Sequence, residues 1–487
     1  MSETTTHPDG RVELVHLDEL EKSPHYNEDL APVPVAKRTW STWDYAALWI
    51  SMAHCIPTYL MASGLVGKGM SWWQALLTIL LGNLIVLVPI LLNSHPGTKY
   101  GIPFPVFARA AYGTVGSNLP ALLRALIACG WFGINAWIGG HALQTFFVAI
   151  APGWHDLAGT FNGFPTTQWL SFALFWGLNI LIVYRGMELV RRLERFAAPF
   201  VLVMTALLVG WAIYKAGGLG PIMSKQGLSS DAFFPIFIPA LTATIGFWST
   251  LSLNMPDFTR FGRSQREQAI GQVVALPSTM TVFAAMGILI TSATVIIFGA
   301  PKGIDDPIKL GGMLGSRIVV GVAMFTIVIA TLAVNIAANV VSPANDFANT
   351  FPKHINFKRG GLITGIVGVL MMPWELLKDA NRYFEWLNGY SGALGAVAGV
   401  LIVDYWLVRK TVLDLGALYS PVGAYRYRNG WNIQAVVATV VGATVALLGF
   451  FWPPMHPIYD WAWFVGFGLA GGLYWILMRG RAIVSRT

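Results

Sequence analysis

The side chains best placed to do chemistry lie in one short run, Trp49 to Tyr59, reading WISMAHCIPTY. The run sits inside a long apolar segment, Tyr45 to Val66, yet it holds Ser51, His54, Cys55 and Pro57. Pro57 brings no backbone donor and crowds the preceding turn, so the helix is expected to break near Ala53 and His54. In hydrocarbon, freed backbone groups persist only where protein or a water-filled cavity satisfies them. A broken span with an ionisable side chain at mid-membrane therefore predicts a binding or ion site. The alternative is a proline kink around a satisfied, buried histidine. His54 and Cys55 make a poor catalytic pair, because adjacent helical residues point about 100° apart. No carboxylate or metal-ligand set accompanies them, which argues against an intramembrane hydrolase.

Other polar groups interrupt apolar segments at helical spacing. Trp131 and Asn135 are four apart, so one helix face offers a flat aromatic surface beside an amide. That pair suits a flat polar heterocycle, although indole core packing and an interhelical amide bond would use the same residues. Thr331, Asn335 and Asn339 form a stripe on another apolar helix, and burying them without partners would cost several kcal/mol. Gly246-Phe247-Trp248 lies inside a further segment, where a residue lacking Cβ permits a second break. Between the second and third apolar segments, HPGTKYGIPFPVFARAAYG demands turns and a short helix carrying Arg109, read here as a surface amphipathic connector.

These groups need a membrane scaffold to hold them. Of 487 residues 55% are hydrophobic and only 11% charged, against roughly 25% charged in an ordinary soluble domain. Twelve apolar segments are predicted, at about 45–66, 72–92, 120–150, 168–184, 197–214, 233–254, 275–298, 319–343, 361–374, 388–408, 433–453 and 460–478. With the N-terminus inside, 24 of the 32 Lys and Arg fall on the cytoplasmic side, which sets the orientation and puts both termini there. The net charge of +8 is thus a topology signal and not a nucleic-acid footprint. Residues 1–39 are polar and acidic, with no signal-peptide pattern, and read as a disordered cytoplasmic arm. Cys55 and Cys129 both fall in predicted spans and imply neither a disulfide framework nor a metal motif.

The phrases SMAHCIPTY, HPGTKYGIPFPVFARAAYG, NLPALLRALIACGWFGINAW, NMPDFTRF, NIAANVVSPANDFANTFPKHINFKRG and VAGVLIVDYWLVRK occur in this order between about Asp44 and Tyr427. Together they resemble the nucleobase:cation symporter-1 family, whose members carry purines, pyrimidines, hydantoins and allantoin. HCIPTY, GTKYGIPFPV and PALLRA are closest to its bacterial allantoin permeases. The resemblance implies an all-α, leucine-transporter-like fold. Two inverted five-helix halves, 40–216 and 217–410, would be followed by two extra helices in 411–487, with spans one and six interrupted at the substrate site.

In the family's hydantoin carriers the ligand lies between two tryptophans and is held by amides; the matching positions are Trp131, Trp248, Asn135 and Asn339. Phe247 stands where those carriers have glycine, and Leu387 matches a gating residue. Cys55 and Thr331 are candidates to meet the ureido tail of allantoin. Sodium-binding positions of the relatives match Ser51, His54, Ala330, Ala333 and Val334. The two positions where sodium would meet a hydroxyl are here Ala333 and Val334.

The expected function is therefore a secondary transporter, not an enzyme, that needs no cofactor and imports allantoin across the plasma (inner) membrane by alternating access. Coupling is assigned to a proton through His54, with Ser51 nearby, rather than to sodium, because an imidazole titrates near neutral pH. The competing readings are a cytosine, uracil or hydantoin permease with sodium coupling, or a channel. The expected partners are a small heterocycle and lipid, and the sequence does not specify an oligomeric state.

Overall fold

The computed structural model describes residues 3–16, 18–154, 157, 159–377 and 380–479, the side chains of 19 and 380–385 aside. Ser41 and Asp44 form a reciprocal capping box at the start of α1, Thr42–Ala53, closing donors that a first helical turn leaves open. Asp44 also receives Arg191 Nε at 2.8 Å and Arg195 Nε at 2.6 Å. The chain leaves the helix at His54 and Cys55, and α2, Ile56–Gly67, restarts with Pro57 in its first turn. A proline is tolerated there because that N–H has no helical partner in any case. The break lies where the sequence places it.

α3, Trp72–Tyr100, ends on Gly101 in the left-handed conformation, φ 70°, and passes into α4, Phe104–Tyr112. The sequence predicts a surface connector here, but every residue of α4 is buried. Arg109 explains the difference. Its guanidinium donates to Asn349 Oδ1 at 3.1 and 2.7 Å, to the Leu418 carbonyl at 3.2 Å and to the His25 carbonyl at 3.1 Å. A charge so fully bonded can enter the interior.

The long helices follow: α5, Asn118–Ile150; α6, Thr166–Arg185; α7, Met187–Ala216; and α8, Ser230–Asn254, with a short α9, Pro256–Thr259. After them come α10, Gln265–Ile297; α11, Arg317–Asn339; α12, Val341–Thr350; α13, Phe357–Leu370; α14, Ala380–Ile402; α15, Ile433–Phe451; and α16, Ala462–Met478. Among the described residues nine helices are long and apolar enough to cross a bilayer. A tenth counts if Pro453–Asp460 and α16, bent by 80°, are one span. The other two of the twelve expected segments are the broken pair α1–α2, neither half of which is long enough to cross alone, and the 14-residue α13. The C-terminal stretch from 480 onward lies outside the described residues.

Two expectations are corrected. α8 runs without interruption through Gly246 and ends only at Asn254. Gly246 serves close packing instead: a Cβ there would lie 3.0 Å from Ser391 Cβ and 3.1 Å from the Leu387 carbonyl. The N-terminal arm is folded, not disordered. Strands β1, Thr4–Thr6, and β2, Val12–Leu14, pair antiparallel, and the segment that follows is tied to the loops on the basic face. Arg38 bonds the Val33, Thr98 and Val12 carbonyls, Asn27 Nδ2 bonds those of Pro352 and Ile355, and Asp29 Oδ2 accepts from the Phe357 N–H at 2.7 Å. Low hydrophobicity argued for disorder, but these bonds compensate the ordering cost without a large apolar core.

Candidate functional site

Beside the α1–α2 break lies a cavity of about 20 Å³ lined from four directions. The break supplies Met52, Cys55 and Pro57; α5 supplies Trp131 and Asn135; α8 supplies Phe247, Trp248, Thr250 and Leu251; α11 supplies Val334, Ala338 and Asn339. Thus Trp131, Asn135, Phe247, Trp248, Asn339 and Cys55 line one cavity. The space holds roughly one water, so a heterocycle enters only as the lining side chains move apart.

The indoles are arranged around Phe247. Its ring meets Trp131 at 5.3 Å and 72°, and Trp248 at 4.8 Å and 84°. Both contacts are edge-to-face, a favourable geometry for aromatic pairs. Trp131 Nε1 donates to Tyr390 Oη at 3.1 Å, and Trp386 packs on its ring at 5.1 Å. These two α14 residues were not singled out in the sequence, where they are two aromatics on a small-residue helix. Trp248 meets Trp49 at 5.2 Å and 87°.

The polar groups fall into two kinds. Asn335 and Asn339 belong to an amide relay: Asn339 Nδ2 donates to Asn335 Oδ1 at 3.0 Å, Asn335 Nδ2 to Asn179 Oδ1 at 3.1 Å, and Asn179 Nδ2 to the Phe175 carbonyl at 2.8 Å. Asn335 therefore positions Asn339 and does not line the cavity. Asn135 Oδ1 and Trp248 Nε1 are the opposite case. Both are buried without a hydrogen-bond partner, although Asn135 Nδ2 donates to the Trp131 carbonyl at 3.1 Å. One free acceptor and one free donor thus share a cavity with three aromatic rings.

The remaining predicted residues, Val334 excepted, lie outside this lining. Leu387 is fully buried against Gly246 on α8. His54 and Thr331 face a separate apolar crevice of about 280 Å³ between α2, α7, α10 and α11, which Cys55 also borders. His54 Nε2 bonds the Thr205 hydroxyl, its ring lies 4.1 Å from Phe283, and Nδ1 has no partner. Ser51 Oγ donates to the Glu194 carbonyl at 3.2 Å. Ala330, Ala333 and Val334 are buried and carry no side-chain oxygen; Ala330 borders the crevice and Val334 the site.

Next to the site is a charged group that the sequence did not assemble. Arg124, whose NH2 bonds the Ala338 carbonyl at 3.0 Å, lies 3.9 Å from Asp346 Oδ2, both with no exposed side-chain surface. Asp257 Oδ1 accepts from the Phe104 N–H and Asn345 Nδ2, each at 3.0 Å. These residues are far apart in sequence, and only the docking of α4 and α12 brings them together.

The geometry is that of a closed, aromatic-walled site in a bundle of membrane-length helices, and known proteins are similar to the chain in sequence and fold. A family model described as permeases for cytosine/purines, uracil, thiamine and allantoin matches residues 32–466. An allantoin permease of Bacillus subtilis is 43% identical over 93% of each chain. A purine-uracil permease of Arabidopsis thaliana is 42% identical over 93% of this chain and 77% of its own. Among solved structures, Mhp1 in a closed conformation with bromovinylhydantoin bound superposes with a TM-score of 0.78 at 25% identity, covering 93% of this chain and 95% of that one. The all-α inverted-repeat fold of the leucine-transporter type and a non-enzymatic, nucleobase-type secondary transport activity follow. The chain belongs to the nucleobase-cation-symport-1 family of permeases.

Proposed function

We propose that this permease imports allantoin across the plasma membrane, from outside to cytoplasm, by alternating access coupled to protons, with both termini cytoplasmic. The observation that carries the reading is the pair of unpartnered buried groups, Asn135 Oδ1 and Trp248 Nε1, at a cavity walled by Trp131, Phe247 and Trp248. A ring with amide edges offers an N–H to the first and a carbonyl to the second, while its faces meet indole. An empty site leaves those groups unpaired at about 1–3 kcal/mol each, and a ligand of the right edge pattern recovers that cost. The 43% identical allantoin permease supports allantoin, and the 42% identical purine-uracil permease makes those rings its competitors in the test. Phe247 occupies space beside both indoles, which favours a compact ring over one with a bulky aromatic substituent.

Support for a proton comes from Ala333 and Val334, which offer no hydroxyl and leave Ser51 as the one hydroxyl among the five matching positions. Ser51 and His54 flank the break, and Leu387 is the gate residue. Proteoliposomes with labelled allantoin test the reading. Accumulation should persist in choline, rise with external acid, and be competed by unlabelled allantoin more strongly than by uracil, cytosine or hydantoin. Strict sodium dependence would overturn the coupling, and preferential competition by another ring would overturn the substrate. Flux that only equilibrates under an imposed gradient would indicate a channel.

A further inference from the structure

One buried acid plays no part in the site just described. Glu194 lies on α7 in the run Arg191-Arg192-Leu193-Glu194-Arg195, yet it is only 2% exposed. Its three basic neighbours are committed elsewhere. Arg191 and Arg195 bond Asp44, and Arg192 bonds Glu188 at 3.0 Å. Both carboxyl oxygens of Glu194 are buried with no hydrogen-bond partner.

Among the described residues the elements packed on α7 show no counter-charge at this carboxyl; Arg266 on α10 and Arg317 on α11 are exposed. From α1 come Asp44, already paired, and Ser51; Tyr45 on the same helix points its hydroxyl to the Phe258 carbonyl. From α10, Glu267 is bonded to Arg263 and to the Thr42 N–H, and Gln268 and Gln272 are neutral. The buried positions Ala330, Ala333 and Val334 on α11 are apolar, and Arg185 at the end of α6 is exposed. His54 is bonded to Thr205, eleven residues farther along α7.

An ionised carboxylate without water or a partner costs several kcal/mol. The chain can carry Glu194 in this closed state as a neutral acid, or with a cation beside it. A cation would need several oxygen ligands, and among the described residues Ser51 is the one side-chain hydroxyl bonded at this position. That leaves the proton. We propose that Glu194 is the proton-binding group of the transport cycle: it takes a proton from external water before the site closes, keeps it while α1 packs on α7, and gives it to cytoplasmic water when α1 swings away and the carboxyl is hydrated.

The linkage to substrate is built into α1. Ser51 touches Glu194, and the next residue, Met52, lines the substrate cavity. Any movement of the last turn of α1 therefore changes both the hydration of the acid and the shape of the site, which is what a coupling free energy between two sites requires. His54 does not meet this requirement. It faces the apolar crevice, whose rim residues Leu207, Val319 and Val322 are exposed on the outside of the bundle among membrane-spanning residues.

The inference rests on proton coupling as proposed above, and the wild-type protein tests that part separately. In proteoliposomes with an imposed gradient of one pH unit, one proton per substrate supports about tenfold accumulation. Labelled allantoin is the probe, or whichever ring of the competition panel the wild type carries. Glu194→Gln should accumulate no label beyond equilibration, yet exchange internal for external label at the wild-type rate, because the amide mimics the neutral acid. Glu194→Asp should regain part of the gradient response, and His54→Gln should retain it.

A wild type driven by sodium alone refutes proton coupling itself. A proton-driven wild type whose Glu194→Gln variant still accumulates label, or whose His54→Gln variant alone loses accumulation, refutes the assignment to Glu194. Should Glu194→Gln fail to insert, the unaltered protein decides the matter. A hydrophobic carbodiimide, which reacts with neutral buried carboxyls, should modify Glu194 by peptide mass and abolish accumulation; full inhibition with Glu194 unmodified would overturn the proposal.

Discussion

Trp248→Phe separates ligand recognition from packing more cleanly than any other single exchange in the site. The indole N–H of Trp248 is buried and unpaired in the closed protein, a state that costs about 1–3 kcal/mol. A phenyl ring removes that donor while keeping an aromatic face toward Trp49 and Phe247, now at 5.2 and 4.8 Å. Each such contact is worth about 0.5–1.5 kcal/mol, most of which a phenyl ring retains. The thermal midpoint of the ligand-free variant should therefore hold or rise. Affinity should move the other way. A ligand carbonyl that loses its donor in a dry site weakens binding by about 1–3 kcal/mol, or about 5- to 150-fold.

Calorimetric titration of the purified protein with allantoin gives the affinity, and a thermal shift without ligand gives the stability. Trp49→Phe is the control, because its Nε1 donates to Gln272 Oε1 at 3.4 Å. The same exchange there breaks a bond within the protein, so it should lower the midpoint and leave affinity nearly unchanged. Unaltered affinity together with a lower midpoint in Trp248→Phe would show that the indole N–H does not meet substrate.

Asn339→Ala should weaken binding by about 1–3 kcal/mol with the protein still inserted, since it removes the cavity end of the amide relay and leaves Asn335 bonded to Asn179; unchanged affinity in titration would take the relay out of the site. Gly246→Ala places a methyl 3.0 Å from Ser391 Cβ and 3.1 Å from the Leu387 carbonyl. At about 1–3 kcal/mol of overpacking, it should push α14 away and slow transport more than it weakens binding. Equal effects on both would argue that Leu387 does not gate. His25, in the folded arm, is held down to about 4 by burial and by the neighbouring Arg109. A depressed histidine contributes stability that is complete above its unfolded value near 6.5 and is lost as pH falls from there toward 4. Limited proteolysis should cut the arm faster at pH 5 than at pH 7.5, and an unchanged rate would mean that His25 does not hold the arm down.

How much was legible depended on whether a residue's partner lay nearby in sequence. The break at His54 was readable because Pro57 acts on its own preceding turn. Trp131 with Asn135, and Asn335 with Asn339, were readable as pairs because four residues bring side chains to one helix face. What that spacing could not reveal was which amide serves the ligand. Asn335 and Asn339 look alike on the helix, and only Asn179, on α6, makes the first a support and leaves the second at the cavity.

Gly246 misled for a related reason. A glycine permits either a break or a close approach, and the choice belongs to Leu387 and Ser391 on a helix that begins well over a hundred residues later. Charge was the least legible property of all. Arg109 sits in a stretch read as a surface connector and Glu194 in a run of charged residues, yet one is buried with four bonds and the other with none at its carboxyl. The contrast separates their roles. An arginine with four hydrogen bonds fixes α4 in place, whereas an acid left unpaired beside the half-helix α1 is stable only while something neutralises it, and its environment therefore changes whenever that half-helix moves.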